Sequence, residues 1–225
     1  MTAPYSVFVN HVADAKPRLR SLDEFLQDER ARKQNSSIAK CVKYMRDGTA
    51  HLLDANSKSL SGKIESFMED DQSGSLGMCV LVEDVNSNDI NILGSLLDID
   101  PDFFCGHLNT KYESIENRPP TCLMSSLPSL IASQQFVHLH YQRVLEMGDM
   151  ARSLKIAAKF CLLGNSSRLV KRMPSLSGKY MGLARACFSV FYKKLPNDRW
   201  IGRCYSKMRS DANSSRCDAD GSNLD

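Results

Sequence analysis

The sequence predicts an α/β (α+β) fold, a mixed, largely antiparallel sheet flanked by helices. Three observations carry that expectation. Met78 to Val82 is a short apolar run of strand length, bounded by polar residues. Ile90, Leu93, Leu96 and Leu97 then fall at helical spacing. Beyond residue 135 the chain alternates with period two in several stretches, as half-exposed antiparallel strands do.

Taken in order, residues 1–20 read as irregular. Ser21 to Gln34 reads as a helix opened by a capping box, with Ser21 at the cap and Glu24 three residues on. "IAKCVKYM" and "HLLD" read as strands and "KSLSGKIESFMED" as a short helix. "DDQSGSLG" (70–77) is a polar loop before the strand at 78–82. A helix follows Ser87, with Asp89 in its first turn, where the helix dipole favours an acid. Asp100 reads as the cap of a second short helix, with Pro101 at its first position and Asp102 in its first turn. "NRPPTCLMSSLPSL" (117–130) is a Pro-rich connector.

In "FVHLHYQRV", Val137, Leu139 and Tyr141 share one face and Phe136, His138 and His140 the other. "KIAAKFCLL" alternates as well. In "LARACFSVFY", Ala184, Ala186, Phe188, Val190 and Tyr192 alternate against Arg185, Cys187 and Ser189, which places those aromatics in the core. Residues 21–205 thus form one domain, and the small, polar stretch 206–225 reads as a disordered tail.

Composition bounds the function classes. The chain has 225 residues, of which 42% are hydrophobic and 24% charged, enough to bury one core. It holds no apolar run of the roughly 18 residues a membrane helix needs. Its start lacks the basic and apolar blocks of a signal peptide, so a cytoplasmic protein is expected. The eight cysteines are scattered without a C-x-x-C pair, which argues for reduced thiols rather than zinc. Charge is uneven: residues 1–118 carry 13 basic and 19 acidic side chains, residues 119–225 carry 16 and 7. Such an imbalance suits either one dipolar domain or contact with nucleic acid or an anionic membrane.

Motifs for chemistry are sparse. Asp98, Asp100 and Asp102 match the first three ligands of an EF-hand loop. Phe103 and Asn109, however, stand where it needs Gly and a bidentate Glu. His138 and His140 form an H-x-H pair on one strand face, with no third ligand in sequence. His107 reads as a surface or hydrogen-bonded residue. There is no Walker loop and no G-x-G-x-x-G, and "GSLG" (74–77) is not a nucleophile elbow. Cys41 and Cys122 have no base paired to them by spacing, and Glu83 with Asp84 reads as a turn. No enzyme is expected, and no cofactor is required.

Leu93, Gly94, Leu97, Ile99, Asp100, Pro101, Phe103, Phe104 and His107 fall within "CVLVEDVNSNDINILGSLLDIDPDFFCGHL" (79–108). This block resembles the cytosolic N-terminal region of fungal CorA-like divalent-cation (Mg²⁺) transporters. The resemblance continues through "SLPSL", "FVHLHYQRV", "GLARACFSV" and the Trp200–Gly202 "WIG", and covers roughly 79–202. It implies a CorA soluble-domain-like α/β unit that in the family precedes a stalk helix, two membrane helices and a Gly-Met-Asn pore signature. No Gly-Met-Asn occurs here, so a soluble, pore-less domain is expected, a truncated or regulatory relative of a Mg²⁺ transporter. Self-association or co-assembly with full-length CorA-like subunits follows as the expected partnership, at most peripheral to a membrane. The family senses Mg²⁺ through interface carboxylates, which makes Asp98, Asp100 and Asp102 weak Mg²⁺ candidates. The alternative is a protein that contacts nucleic acid, the less favoured partner, or an anionic membrane through its basic half.

Overall fold

The computed structural model describes residues 4–28, 37–55, 57–69, 74–108, 135–146, 157–160, 168–175 and 177–206. The elements are α1 (Tyr5–Ala15), α2 (Arg20–Gln27), β1 (Ile38–Met45), β2 (Ala50–Ala55), α3 (Ser57–Glu69) and β3 (Ser75–Glu83). There follow α4 (Ser87–Leu97), α5 (Pro101–Leu108), β4 (Phe136–Glu146), β5 (Ala157–Phe160), β6 (Arg168–Arg172), β7 (Met181–Lys194) and β8 (Trp200–Ser206). The eight strands form one sheet in the order β2-β1-β3-β8-β7-β6-β5, and β4 pairs with the other edge of β7. All pairs are antiparallel except β3 with β8, whose register places Gly77 beside Trp200 and Glu83 beside Ser206. The expected mixed, largely antiparallel sheet flanked by helices is the observed one.

The N-terminus departs from the sequence expectation. Residues 1–20 are not irregular: Tyr5–Ala15 is helical and buries Tyr5, Val9 and Ala13, one residue per turn. A 3-10 turn at Pro17–Leu19 leads straight into α2. That displaces the expected cap, because Leu19 precedes α2 and Ser21 lies inside it with no capping bond. α2 ends at Gln27, and residues 29–34 of the expected helix lie outside the described residues. Elsewhere the start signals hold. Asn86 and Asp89 form a reciprocal capping box on α4. Asp100 Oδ1 accepts the Asp102 backbone N–H as α5 begins.

The helices and one sheet face share one buried cluster. It contains Leu22 and Leu26 from α2, Leu60, Ile64 and Phe67 from α3, Ile90, Leu93 and Leu97 from α4, and Phe103 and Phe104 from α5. The sheet contributes Ala39, Cys41, Met78, Val80, Val82, Phe191, Ile201 and Tyr205. The faces of β7 depart in part from the expectation, since Ala184 and Ala186 are buried as expected but the other face is buried too. Cys187, Ser189 and Phe191 face the helices and are buried, whereas Tyr192 is 49% exposed on the other side. Short apolar side chains on both faces hide this departure from a period-two reading. In β4, Val137, Leu139 and Tyr141 are exposed, while Phe136 and His138 on the other face are half-buried and His140 is exposed. The connector 117–130 and the expected tail beyond Ser206 lie outside the described residues.

Gly94 locks α1 to α4. Tyr5 lies flat against it and donates its hydroxyl to the Ile99 carbonyl at 2.7 Å. A Cβ at Gly94 would stand 2.6 Å from the ring. Tyr5 is held at both ends, so Gly94→Ala is expected to destabilise the fold by about 1–3 kcal/mol in urea titration.

Candidate functional site

Two places bring chemistry-bearing side chains together. The first lies under the helices. Ser189 of β7 stands between His107 of α5 and His138 of β4, with its Oγ 2.8 Å from His107 Nδ1 and 2.7 Å from His138 Nδ1. Cys187 Sγ is 3.4 Å from the same oxygen. Cross-strand register creates this meeting, because His138 is directly opposite Ser189. A serine hydroxyl donates one proton and can accept two, so at most one of the two imidazoles accepts from it. His138 Nε2 is buried without a hydrogen-bond partner, and an orphaned acceptor costs less than an orphaned N–H. The proton of His138 is therefore assigned to Nδ1, from which it donates to Ser189 Oγ.

The trio resembles a nucleophile with bases but cannot act as one. Ser189 is fully buried, and aromatic rings wall it in: Phe103 stacks on His138 at 5.4 Å and Phe136 lies 5.3 Å away. It is a structural relay, and His107 is the hydrogen-bonded core histidine the sequence allowed. His138 and His140 have ring centroids 6.3 Å apart, and His138 is committed to Ser189.

Nor do the three aspartates converge. Asp98 ends α4 in the left-handed region, at φ 52°. Asp100 caps α5, and Asp102 pairs with Arg18. Burial, followed by the charge of Asp100, raises the Asp102 carboxyl, while Arg18 opposes that. Among the described residues no three His, Cys, Asp or Glu side chains gather as metal ligands would. A cavity of about 390 Å³ between α3 and the β1–β3 strands has Lys43 and Lys63 over a floor of Phe67 and Met78. Its lining carries no acid, imidazole or thiol.

The second place is the sheet face opposite the helices. Tyr44, Trp200 and Tyr192 form a stripe across β1, β8 and β7, with ring centroids 5.5 Å and 6.4 Å apart. Gly77 gives the indole room to lie on the sheet, since a Cβ there would stand 2.1 Å from it. Leu52 and Leu81 extend the face toward one edge and Val137, Leu139 and Tyr141 toward the other, all exposed. Cys79 and Cys204 lie on the same face, on the adjacent strands β3 and β8. The Cys204 thiol donates to Cys79, which draws Cys79 down to about 7 and pushes Cys204 up. Sequence reasoning missed this surface, because it equated apolar alternation with burial.

No family model, curated protein or solved structure matches the chain. No helix among the described residues is long and apolar enough to cross a membrane.

Two outcomes follow. An imidazole in the unfolded chain titrates near 6.5. Burial, aided by His140, lowers folded His138 to about 4. Between those values the unfolded chain binds the extra proton. The stabilisation is complete above about 6.5 and is lost as pH falls toward about 4. Discounted for partial exposure, the loss is about 2 kcal/mol, measurable by urea titration at each pH, and His138→Phe should flatten it. Among the described thiols Cys79 should react fastest with iodoacetamide near neutral pH, and Cys204→Ser should slow it.

Proposed function

We propose that the chain is a non-enzymatic, pore-less interaction domain of the CorA-like kind, whose open sheet face seats a helical segment of a full-length subunit. The observation that supports this is the asymmetry of the sheet. Helices bury one face, while the other presents Leu52, Leu81, Tyr44, Tyr192, Val137 and Leu139 to solvent. A contiguous apolar surface of this kind marks a partner site. Its ridge of aromatic rings suits the flank of an amphipathic helix. A truncated or regulatory relative of a Mg²⁺ transporter would use such a face to join complete subunits at the cytoplasmic side of a membrane. Weak Mg²⁺ binding at Asp98, Asp100 or Asp102 would be an addition to this role, and no cofactor is needed for it.

A second reading is favoured by the Tyr44–Trp200–Tyr192 stripe, with Lys194 opposite Trp200 on β7. Aromatic rings on an open sheet stack single-stranded bases, and nearby cations hold the phosphates. That reading requires affinity that falls steeply with salt.

The decisive experiment is co-purification with a full-length CorA-like subunit, in parallel with single-stranded oligonucleotide binding across ionic strength. Wild-type chain is expected to co-purify with the subunit, and the double variant Leu52→Glu, Leu81→Glu is expected to lose it. Retention by that variant, or tight salt-sensitive oligonucleotide binding, would overturn the helix-seating role. Calorimetry with millimolar Mg²⁺ tests the aspartates directly: the absence of heat removes them as a metal site.

A further inference from the structure

We infer that Cys79 and Cys204 form a two-thiolate site for a soft monovalent cation of the copper(I) class, bordered by the Trp200 indole. The site goes beyond the role assigned to the open face and does not depend on what that face seats.

The two thiols stand on a rigid frame. β3 is paired on both sides, with β1 and β8, and β8 is paired on both sides, with β3 and β7. In the parallel ladder Cys79 stands opposite Gly202, and Cys204 stands opposite Leu81. The cysteines are therefore diagonal neighbours on one face. Glycine leaves the position across from Cys79 without a side chain, so the sulfurs can meet there. The Cys204 thiol donates to Cys79. Both residues are half-buried, and neither is in a disulfide.

That placement selects among the reactions open to a thiol pair. A disulfide needs its Cα atoms within about 6.8 Å. Diagonal positions on neighbouring strands lie roughly 7–8 Å apart, and the ladders on either side of each strand resist the movement that closure needs. An ion held by both sulfurs makes no such demand. Two metal–sulfur bonds of about 2.3 Å span up to about 4.6 Å, with the strands left in place.

The surroundings select the ion. Zinc takes four ligands, and among the described residues no third His, Cys, Asp or Glu joins this pair. Val42 flanks Cys79 on β1 and Val190 flanks Cys204 on β7, so neither flank offers an oxygen or nitrogen side-chain ligand. Thiolates alone favour soft ions such as copper(I). The Trp200 indole borders the pair: it lies over Gly77 and reaches Gly202, where an added Cβ would stand 2.1 Å and 3.2 Å from it. A cation at the sulfurs is then near an aromatic ring that attracts positive charge. Two thiols and one cation give the bis-thiolate complex and two protons. Cys79 has given up part of its proton near neutral pH, because its thiol is drawn down to about 7.

Silver(I), a soft monovalent ion that does not cycle between oxidation states, tests this on the full chain in a non-thiol reductant. Trp200 is the one tryptophan of the chain, so its fluorescence reads the site directly. The first equivalent of silver(I) should quench it, and Cys79→Ser and Cys204→Ser should each abolish that step. Should either variant misfold, wild type decides. One equivalent of silver(I) should slow N-ethylmaleimide modification of Cys79 and Cys204 about tenfold, read peptide by peptide, and leave the other cysteines unchanged. Quenching that survives in either serine variant, no quenching by the first equivalent, or protection of cysteines other than these two overturns the site.

Discussion

The architecture depends on one parallel ladder. β8 enters the sheet beside β3 and hands it on to β7, so every strand beyond β8 is attached through it. The pairing joins residues 77–83 to residues 200–206. β8 carries Ile201, Arg203 and Tyr205 on the helix side, all fully buried. On the other side Trp200 requires a strand neighbour without a side chain, and Gly77 meets that need. The buried Arg203 guanidinium donates to the Tyr205 hydroxyl at 3.4 Å. Burial raises the Tyr205 hydroxyl most, while Arg203 and Asp89 push it in opposite directions. The central strand thus carries a fully buried guanidinium, and Asp89 of α4 is buried as well.

The same region resolves the uneven charge of the chain. Lys193 donates to the Leu97 carbonyl at 2.7 Å, at the C-terminal end of α4. Arg199 donates to the Phe67 and Met68 carbonyls in the last turn of α3 and stacks over the Phe67 ring. Neither helix carries a basic residue in its own last turn. The β7–β8 hairpin supplies those cations to the negative ends of the dipoles. Arg18 and Asp102 make a further bond, between the 3-10 turn and α5. Part of the basic character of the second half is thus consumed within the domain, which weakens it as a sign of an anionic partner.

The sequence made local elements legible where a local signal existed. The strand around 78–82 and the helices that start near Ser87 and Asp100 stood out because apolar runs and acids at helix starts act over a few residues. α1 escaped notice because it has no capping bond and no acid in its first turn, and is held instead by tertiary contacts such as Tyr5 with Ile99. The facing of β4 and β7 escaped notice for a different reason. Both faces carry apolar or small residues, and which face is covered depends on where the helices land. The His107–Ser189–His138 contact spans 82 and 51 residues in sequence and has no signature at all. The aromatic stripe joins three distant strands and shows only once their register is known.

Placing β8 in the middle of the sheet constrains how the chain folds. The hairpin of β1 and β2 and the strand β3 are local and form early, but the free edge of β3 waits for residues 200–206. During synthesis that edge stays without its strand neighbour until β8 has left the ribosome. Long-range closure of this kind is slow, and an intermediate with an open apolar edge associates with its neighbours. The order of the strands along the chain thus leaves the edge of β3 open to pairing with another copy until its own C-terminal strand arrives.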